Sequence, residues 1–116
     1  MSPKWYDYAE KSTAPDEHIK RNYSGKLDGE WGYIMISDKK LFFVTEEGFF
    51  RKKYSIPFNL PYEEVEDIKA VDEFELQISE KNGKTHKFVS DDLVRASRIY
   101  EAIQEEMHGR SELVMH

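Results

Sequence analysis

No apolar stretch in this chain is longer than four residues. The two that reach that length, Tyr33–Ile36 and Leu41–Val44, are separated by the polar turn Ser37-Asp38-Lys39-Lys40. Runs this short, bounded by turn residues, suit strands and leave too little length for helices. The pattern continues on both sides. His18–Lys26 is weakly strand-like and is followed by the turn signal Asp28-Gly29-Glu30; Glu46-Glu47-Gly48 marks another turn. Tyr54, Ile56, Phe58 and Leu60 fall on alternate positions and are expected to share one strand face. Pro57 sits among them without an N–H to give to a ladder, which predicts a sheet edge or a bulge. Pro61 ends the run. Tyr62–Glu64 reads as a turn, and Val65–Val71 as a short strand, because Pro61 and Asp72 leave no room for a stable helix.

Phe74, Leu76 and Ile78 alternate with Glu75, Gln77 and Ser79, and Asn82-Gly83 supplies a turn. A two-residue turn would set Leu76 opposite Val89. A three-residue loop, Lys81-Asn82-Gly83 with Gly83 left-handed, sets Ile78 opposite His86 and Leu76 opposite Phe88. The second register keeps Phe88 with the core residues and is preferred. After Ser90, a potential N-cap followed by Asp91 and Asp92, the period changes. Leu93, Ala96, Ile99, Tyr100, Ile103 and Met107 recur at steps of three and four, predicting one amphipathic helix that stops at Gly109. The expected fold is mainly β: about seven strands in a partly open antiparallel barrel or sandwich, capped by one C-terminal amphipathic helix. The chain divides into an irregular lead-in over 1–17, a domain over 18–107 and a frayed tail over 108–116. Within the lead-in, Trp5, Tyr6 and Tyr8 are too aromatic for a free tail, so Trp5 or Tyr8 is expected to lie against the domain, with a short helical turn over Trp5–Lys11.

The strand order and closing helix resemble the pleckstrin-homology-like (PH-like) superfold, nearest its bacterial PH and GRAM-type branch, over roughly His18–Met107. Gly32–Val44 carries the glycine, strand, small polar turn and strand that open the pattern. Ser55-Ile56-Pro57-Phe58 leading into Val65-Glu66-Asp67-Ile68 is similar to its middle, and Phe74–Ile78, Gly83, Phe88 and the helix to its end. The resemblance implies a non-enzymatic interaction module. The basic pair of the family's phosphoinositide motif has no well-formed counterpart; Lys20-Arg21 and Lys26 flank that region at other spacings.

Composition bounds the chemistry. The 116 residues carry 17 Lys and Arg against 23 Asp and Glu, a net charge of −6, and no cysteine. Disulfides, thiolate metal sites and cysteine nucleophiles are therefore excluded, and a general nucleic-acid binder is disfavoured. The charge is segregated, however. Residues 63–75 hold seven acids and only Lys69 as a base, whereas residues 39–53 hold Lys39, Lys40, Arg51, Lys52 and Lys53 against Glu46 and Glu47. Phe49-Phe50-Arg51-Lys52-Lys53 is the best candidate binding site, since rings beside cations suit a membrane interface or a protein surface. The blander reading puts one ring in the core and the charges on a solvated strand end. The four histidines show no metal-ligand spacing; His86 is expected as a hydrogen-bonded core residue beside Ile78. The acidic run Glu63–Asp67 lacks the glycine and alternation of a calcium loop. No catalytic constellation, cofactor or metal site is expected.

The expected role is thus binding of a protein or peptide partner, or of an anionic membrane surface, in the cytoplasm or peripherally at the membrane. A homodimer through an uncovered edge strand also fits. The alternative is a small barrel binding a small ligand or single-stranded nucleic acid through Tyr23, Trp31, Tyr33 and Tyr54.

Overall fold

The computed structural model describes residues 2–91 and 93–115. Helix α1 (Lys4–Lys11) precedes strands β1 (Ile19–Leu27), β2 (Glu30–Ser37), β3 (Lys40–Glu47), β4 (Lys53–Pro61), β5 (Val65–Ala70), β6 (Glu75–Glu80) and β7 (Thr85–Ser90), and helix α2 (Ala96–Met115) closes the chain. The strands form one antiparallel sheet in the order β4-β3-β2-β1-β7-β6-β5. The long β1 joins the halves: it pairs with β2 along its length and with β7 only over Gly25–Leu27. β4 and β5 are therefore the two free edges, so the barrel is open. The two are linked by a single 3-10 turn, Tyr62–Glu64.

The sheet bends where β1 changes partners. Gly25 and Gly32 face each other across β1 and β2. A Cβ on Gly25 would lie 2.6 Å from the Phe88 ring and against the Val89 carbonyl oxygen, and one on Gly32 would lie 2.9 Å from the Phe43 ring and against the Val44 carbonyl oxygen. The rings that use this space, Phe43 and Phe88, are fully buried and meet edge to face at 6.2 Å. Around them lie Leu27, Ile34, Leu76 and Ile78, and from α2 come Ala96, Ile99 and Ile103. The final helix thus lays its apolar stripe into the concave side of the sheet.

The turns follow local chemistry. Asp28 and Gly29 both adopt positive φ, 51° and 88°, between paired residues Leu27 and Glu30. This is the mirror-image turn that matches strand twist. Gly83 has φ 98°, Ile78 lies opposite His86 and Leu76 opposite Phe88, the three-residue-loop register.

Some expectations hold and others are corrected. The helical turn expected over Trp5–Lys11 is helix α1, which packs on the convex side of the sheet with Ala9 fully buried against Met35, Phe42 and Val44, and beyond the helix the lead-in is irregular only over residues 12–18. Trp5 stacks on Tyr33 at 3.8 Å between centroids, and Tyr8 meets Tyr54 at 5.7 Å. β2 and β3 are consequently buried on both faces, which is why their sequences are continuously apolar. The segment after α1 is tied down by Glu17, whose buried carboxylate accepts hydrogen bonds from the Ser37 hydroxyl (2.6 Å) and the Ala14 N–H (3.1 Å).

Tyr54, Ile56, Phe58 and Leu60 do not share a face. Phe43 pairs with Phe58 but Thr45 with Ser55, so an extra β4 residue forms a bulge at Ile56–Pro57. Phe58 and Leu60 join the concave core, while Tyr54 and Ile56 pack under α1. Pro57 thus lies both on an edge strand and at the bulge.

The last helix begins at Ala96, not after Ser90. Ser90 still belongs to β7, its N–H donating to Phe74 O, and its hydroxyl is engaged with the carbonyls of Asp91 and Val94. Asp91 N–H donates to Ser24 O. These bonds hold the segment on the sheet and leave Leu93 exposed, outside the apolar stripe. Asp92, read as part of the cap, lies outside the described residues. Gly109 does not end the helix, which continues to Met115, so most of the expected tail is helical; His116 lies outside the described residues. A single glycine costs a helix only about 1 kcal/mol.

Substituting Gly32→Ala is expected to lower the unfolding free energy by about 2–3 kcal/mol, because both the Val44 backbone and the Phe43 ring must shift. Urea titration checks this; a change below about 0.5 kcal/mol, the range of neutral surface substitutions, would contradict the corner's role.

Candidate functional site

The hairpin between β3 and β4 carries the residues singled out from the sequence. β3 ends at Glu47, and Gly48 turns the chain with φ 100°. The Arg51 carbonyl oxygen lies 2.5 Å from where a Gly48 Cβ would sit, so the loop folds closely back on itself. Its tip projects Phe49 and Phe50 into solvent, with relative exposures of 96% and 102%. Neither ring is core. Arg51, Lys52 and Lys53 follow, all exposed, so the structure brings the whole five-residue set to one protruding end of the sheet.

The base of this hairpin is built around Glu46. Its carboxylate accepts hydrogen bonds from the Tyr33 hydroxyl (3.5 Å) and the Tyr54 hydroxyl (3.4 Å), and Lys52 Nζ lies 3.5 Å away. Desolvation first, and then the Glu46 charge, push both phenols above the ordinary tyrosine range. They therefore stay neutral donors at physiological pH. With Glu46 engaged by Lys52 and Glu47 in register opposite Lys53, the acids beside the tip are matched. Arg51 has no ion-pair partner among the described residues.

Trp31, 39% exposed, stands at the same end of the sheet, one residue before the Gly32–Thr45 pair and edge-on to Tyr33 at 6.1 Å. The sequence offered it only as a stacking residue. Its place beside the tip follows from strand pairing. The other aromatics of that stacking set are engaged: Tyr23 packs against the concave core, and Tyr33 and Tyr54 lie under α1.

His86 lies half-buried at the rim of the concave core, next to the β1–β2 turn. Its Nδ1 lies 2.8 Å from Asp28 Oδ2 and its Nε2 2.6 Å from Glu80 Oε2, and its ring meets Phe58 at 4.7 Å. Asp28 Oδ1 also accepts the Lys87 N–H at 2.9 Å, and Asp28 N–H donates to Lys87 O. The histidine therefore pins the β1–β2 turn to the β6–β7 hairpin. Burial disfavours its charge, but the hydrogen bonds and charges of Glu80 and Asp28 outweigh that and raise its pKa above the ordinary value. Among the described residues, no group of three or more His, Asp or Glu side chains is placed to hold a metal ion. No described helix is long and apolar enough to cross a membrane.

No family model matches the chain, and no curated protein matches it. Among solved structures, the C-terminal domain of an unknown protein from Leishmania infantum is similar, with a TM-score of 0.58 at 20% identity, over 89% of this chain and 90% of that one. The likeness shows a shared fold.

A raised folded-state pKa at His86 stabilises the protein fully below the unfolded value near 6.5, and that contribution is lost as pH rises through the folded pKa. The urea midpoint is therefore expected to fall as pH rises above about 6.5, and the fall should shrink in His86→Gln. An unchanged pH dependence in the variant would refute the assignment.

Proposed function

We propose that this chain is a PH-like interaction module without catalytic activity that docks on an anionic membrane surface, peripherally from the cytoplasmic side, through the β3–β4 tip. The observation that carries the reading is the pair of fully exposed phenylalanines, Phe49 and Phe50, followed directly by three exposed cations. A protruding tip has no walls to grip a peptide. It can, however, sink two rings into the headgroup boundary while Arg51, Lys52 and Lys53 meet lipid phosphates. Trp31, partly exposed level with the base of the same hairpin, is a further ring of the kind that accumulates at membrane interfaces. The tight Gly48 turn and the Glu46 cluster hold the tip in place before binding, so little ordering cost remains.

The net charge of −6 opposes any approach to an anionic surface except along this end. Each cation near such a surface contributes on the order of 1 kcal/mol. Replacing Arg51, Lys52 and Lys53 together by alanine is expected to weaken binding to phosphatidylserine-containing vesicles roughly 100-fold at low salt. Phe49→Ala with Phe50→Ala should weaken it at least about tenfold, from the lost apolar burial. Both variants should keep the wild-type melting temperature, because neither touches the core. Vesicle co-sedimentation decides the matter: no sedimentation of the wild type at low salt, or equal sedimentation of wild type and both variants, ends this reading.

A further inference from the structure

The β6–β7 hairpin turns at Lys81-Asn82-Gly83, and all three residues are exposed. Two features of this turn bear on its reactivity. The first is the residue after the asparagine. Gly83 takes φ 98°, and nothing lies within 4 Å of the place its Cβ would occupy. Its amide nitrogen is therefore open to a neighbouring side chain, an approach that a Cβ would hinder. The second is the asparagine itself. Its Oδ1 accepts the Lys84 N–H at 2.9 Å, a bond that spans Gly83 and lays the side-chain amide along the Gly83 peptide. Its Nδ2 donates to Glu80 Oε1 at 3.3 Å.

These contacts suit one reaction. The Gly83 amide gives its proton to hydroxide, and its nitrogen attacks Asn82 Cγ, forming the C–N bond that closes a five-membered ring. Negative charge collects on Oδ1 in the tetrahedral intermediate, and the Lys84 N–H already donates to that oxygen, as an oxyanion-hole donor does. Lys81 and Lys84 flank the turn with positive charge, which favours both anionic species. The Cγ–Nδ2 bond then breaks, Nδ2 takes a proton from water and leaves as ammonia, and a succinimide remains. Water opens that ring at Cγ to give aspartate, or at the backbone carbonyl to give an isoaspartyl link. One water is consumed and one ammonia released, with no change of oxidation state.

We propose that Asn82-Gly83 is a self-modification site, where the hairpin turn converts its own asparagine to aspartyl and isoaspartyl residues with water as the co-reactant. The Gly83 N–H donates to Glu80 O at 2.9 Å and must leave that bond to react. It is one exposed bond at a hairpin end, of the kind that opens locally while the sheet stays folded. Exposure alone does not pick the site, because Asn22 and Asn59 are exposed as well. Those two lie within strands, opposite Met35 and Phe42, and are followed by Tyr23 and Leu60, so pairing holds their backbones extended and a Cβ follows each.

Both products place a carboxylate where the Nδ2 donor stood, beside Glu80. Glu80 Oε2 is the oxygen that holds His86 Nε2 at 2.6 Å, so the new charge falls next to the clamp on the β1–β2 turn. The isoaspartyl product also lengthens the backbone inside the loop, which disturbs the Glu80 N–H to Lys84 O bond, 2.8 Å, at its mouth. This site involves neither the β3–β4 tip nor lipid and does not depend on the membrane reading.

The test incubates the full chain in mildly alkaline buffer at body temperature, with a parallel sample unfolded in urea, and maps both by mass spectrometry of proteolytic peptides. In the folded chain Asn82 should lose more than half of its amide, to two isomeric products, over an interval in which Asn22 and Asn59 keep theirs. The isoaspartyl form, separated by chromatography, should unfold at a lower urea midpoint than Asn82→Asp, which carries the same charge on an unaltered backbone. Loss of the amide only in the urea sample would show that the Gly83–Glu80 bond blocks the reaction and would overturn the proposal. An intact Asn82 in both samples, or equal loss at all three asparagines in the folded chain, would overturn it too. An isoaspartyl form as stable as Asn82→Asp would overturn the stated effect on the hairpin.

Discussion

The fold turns on the contact between Phe43 and Phe88 above the facing glycines Gly25 and Gly32. These rings belong to strands that are not sheet neighbours, and they can meet only because β1 and β2 carry no side chain at that level. The bend they occupy divides the seven strands into two halves and creates the concave space that α2 fills. A flat sheet would expose the Ile34, Leu76 and Ile78 face that now surrounds the two rings. Two fully buried aromatic side chains, each worth roughly 1.5–3 kcal/mol by burial, therefore have an effect larger than their own contribution. They fix the curvature that gives α2 its seat.

How much of this was legible in the sequence can be argued residue by residue. The β6–β7 register was, because Phe88 belongs inside and Gly83 can take positive φ, and together they leave one solution. Pro57 announced an edge or a bulge correctly because its missing N–H admits little else. The face switch that the bulge produces was not legible: alternation of Tyr54, Ile56, Phe58 and Leu60 looks the same whether or not one residue is inserted. The start of α2 was misplaced for a related reason. Ser90-Asp91 has ideal capping chemistry, yet Ser24 and Phe74 offer backbone partners through long-range pairing that local sequence cannot display. Helix α1 illustrates the same limit. Its aromatics signalled contact with the domain, but only the apolar runs of β2 and β3, needing cover on both faces, explain where it lies.

The five residues of the candidate site were legible as a composition and not as a geometry. Rings beside cations are common, and a strand end would have served equally well as a host. What decides their character is Gly48, which turns the chain so tightly that neither phenylalanine can reach the core. Glu46 then does the opposite of what its charge suggests. By holding Tyr33, Tyr54 and Lys52 it is neutralised within the hairpin base, so it does not cancel the cations of the tip.

Seen together, the two ends of the chain's charge distribution serve different physics. The tip is basic, convex and apolar at its extremity, suited to a surface that is broad and soft. The β5 edge is acidic and keeps one side of its backbone groups outside the sheet ladder. An exposed edge of this kind is normally blunted by lysine or a covering loop, because it invites pairing between copies. Here the acids perform that duty, since a second β5 would bring like charges face to face. The net charge of −6 is then the sum of two opposed surfaces, and the segregation between residues 39–53 and 63–75 keeps each from occupying the other within one molecule. β4 ends at Pro61 and is joined to β5 only by the 3-10 turn Tyr62–Glu64, whose Tyr62 hydroxyl donates to Ser37 O at 2.5 Å. That short, anchored link leaves little slack for the two edges to move apart.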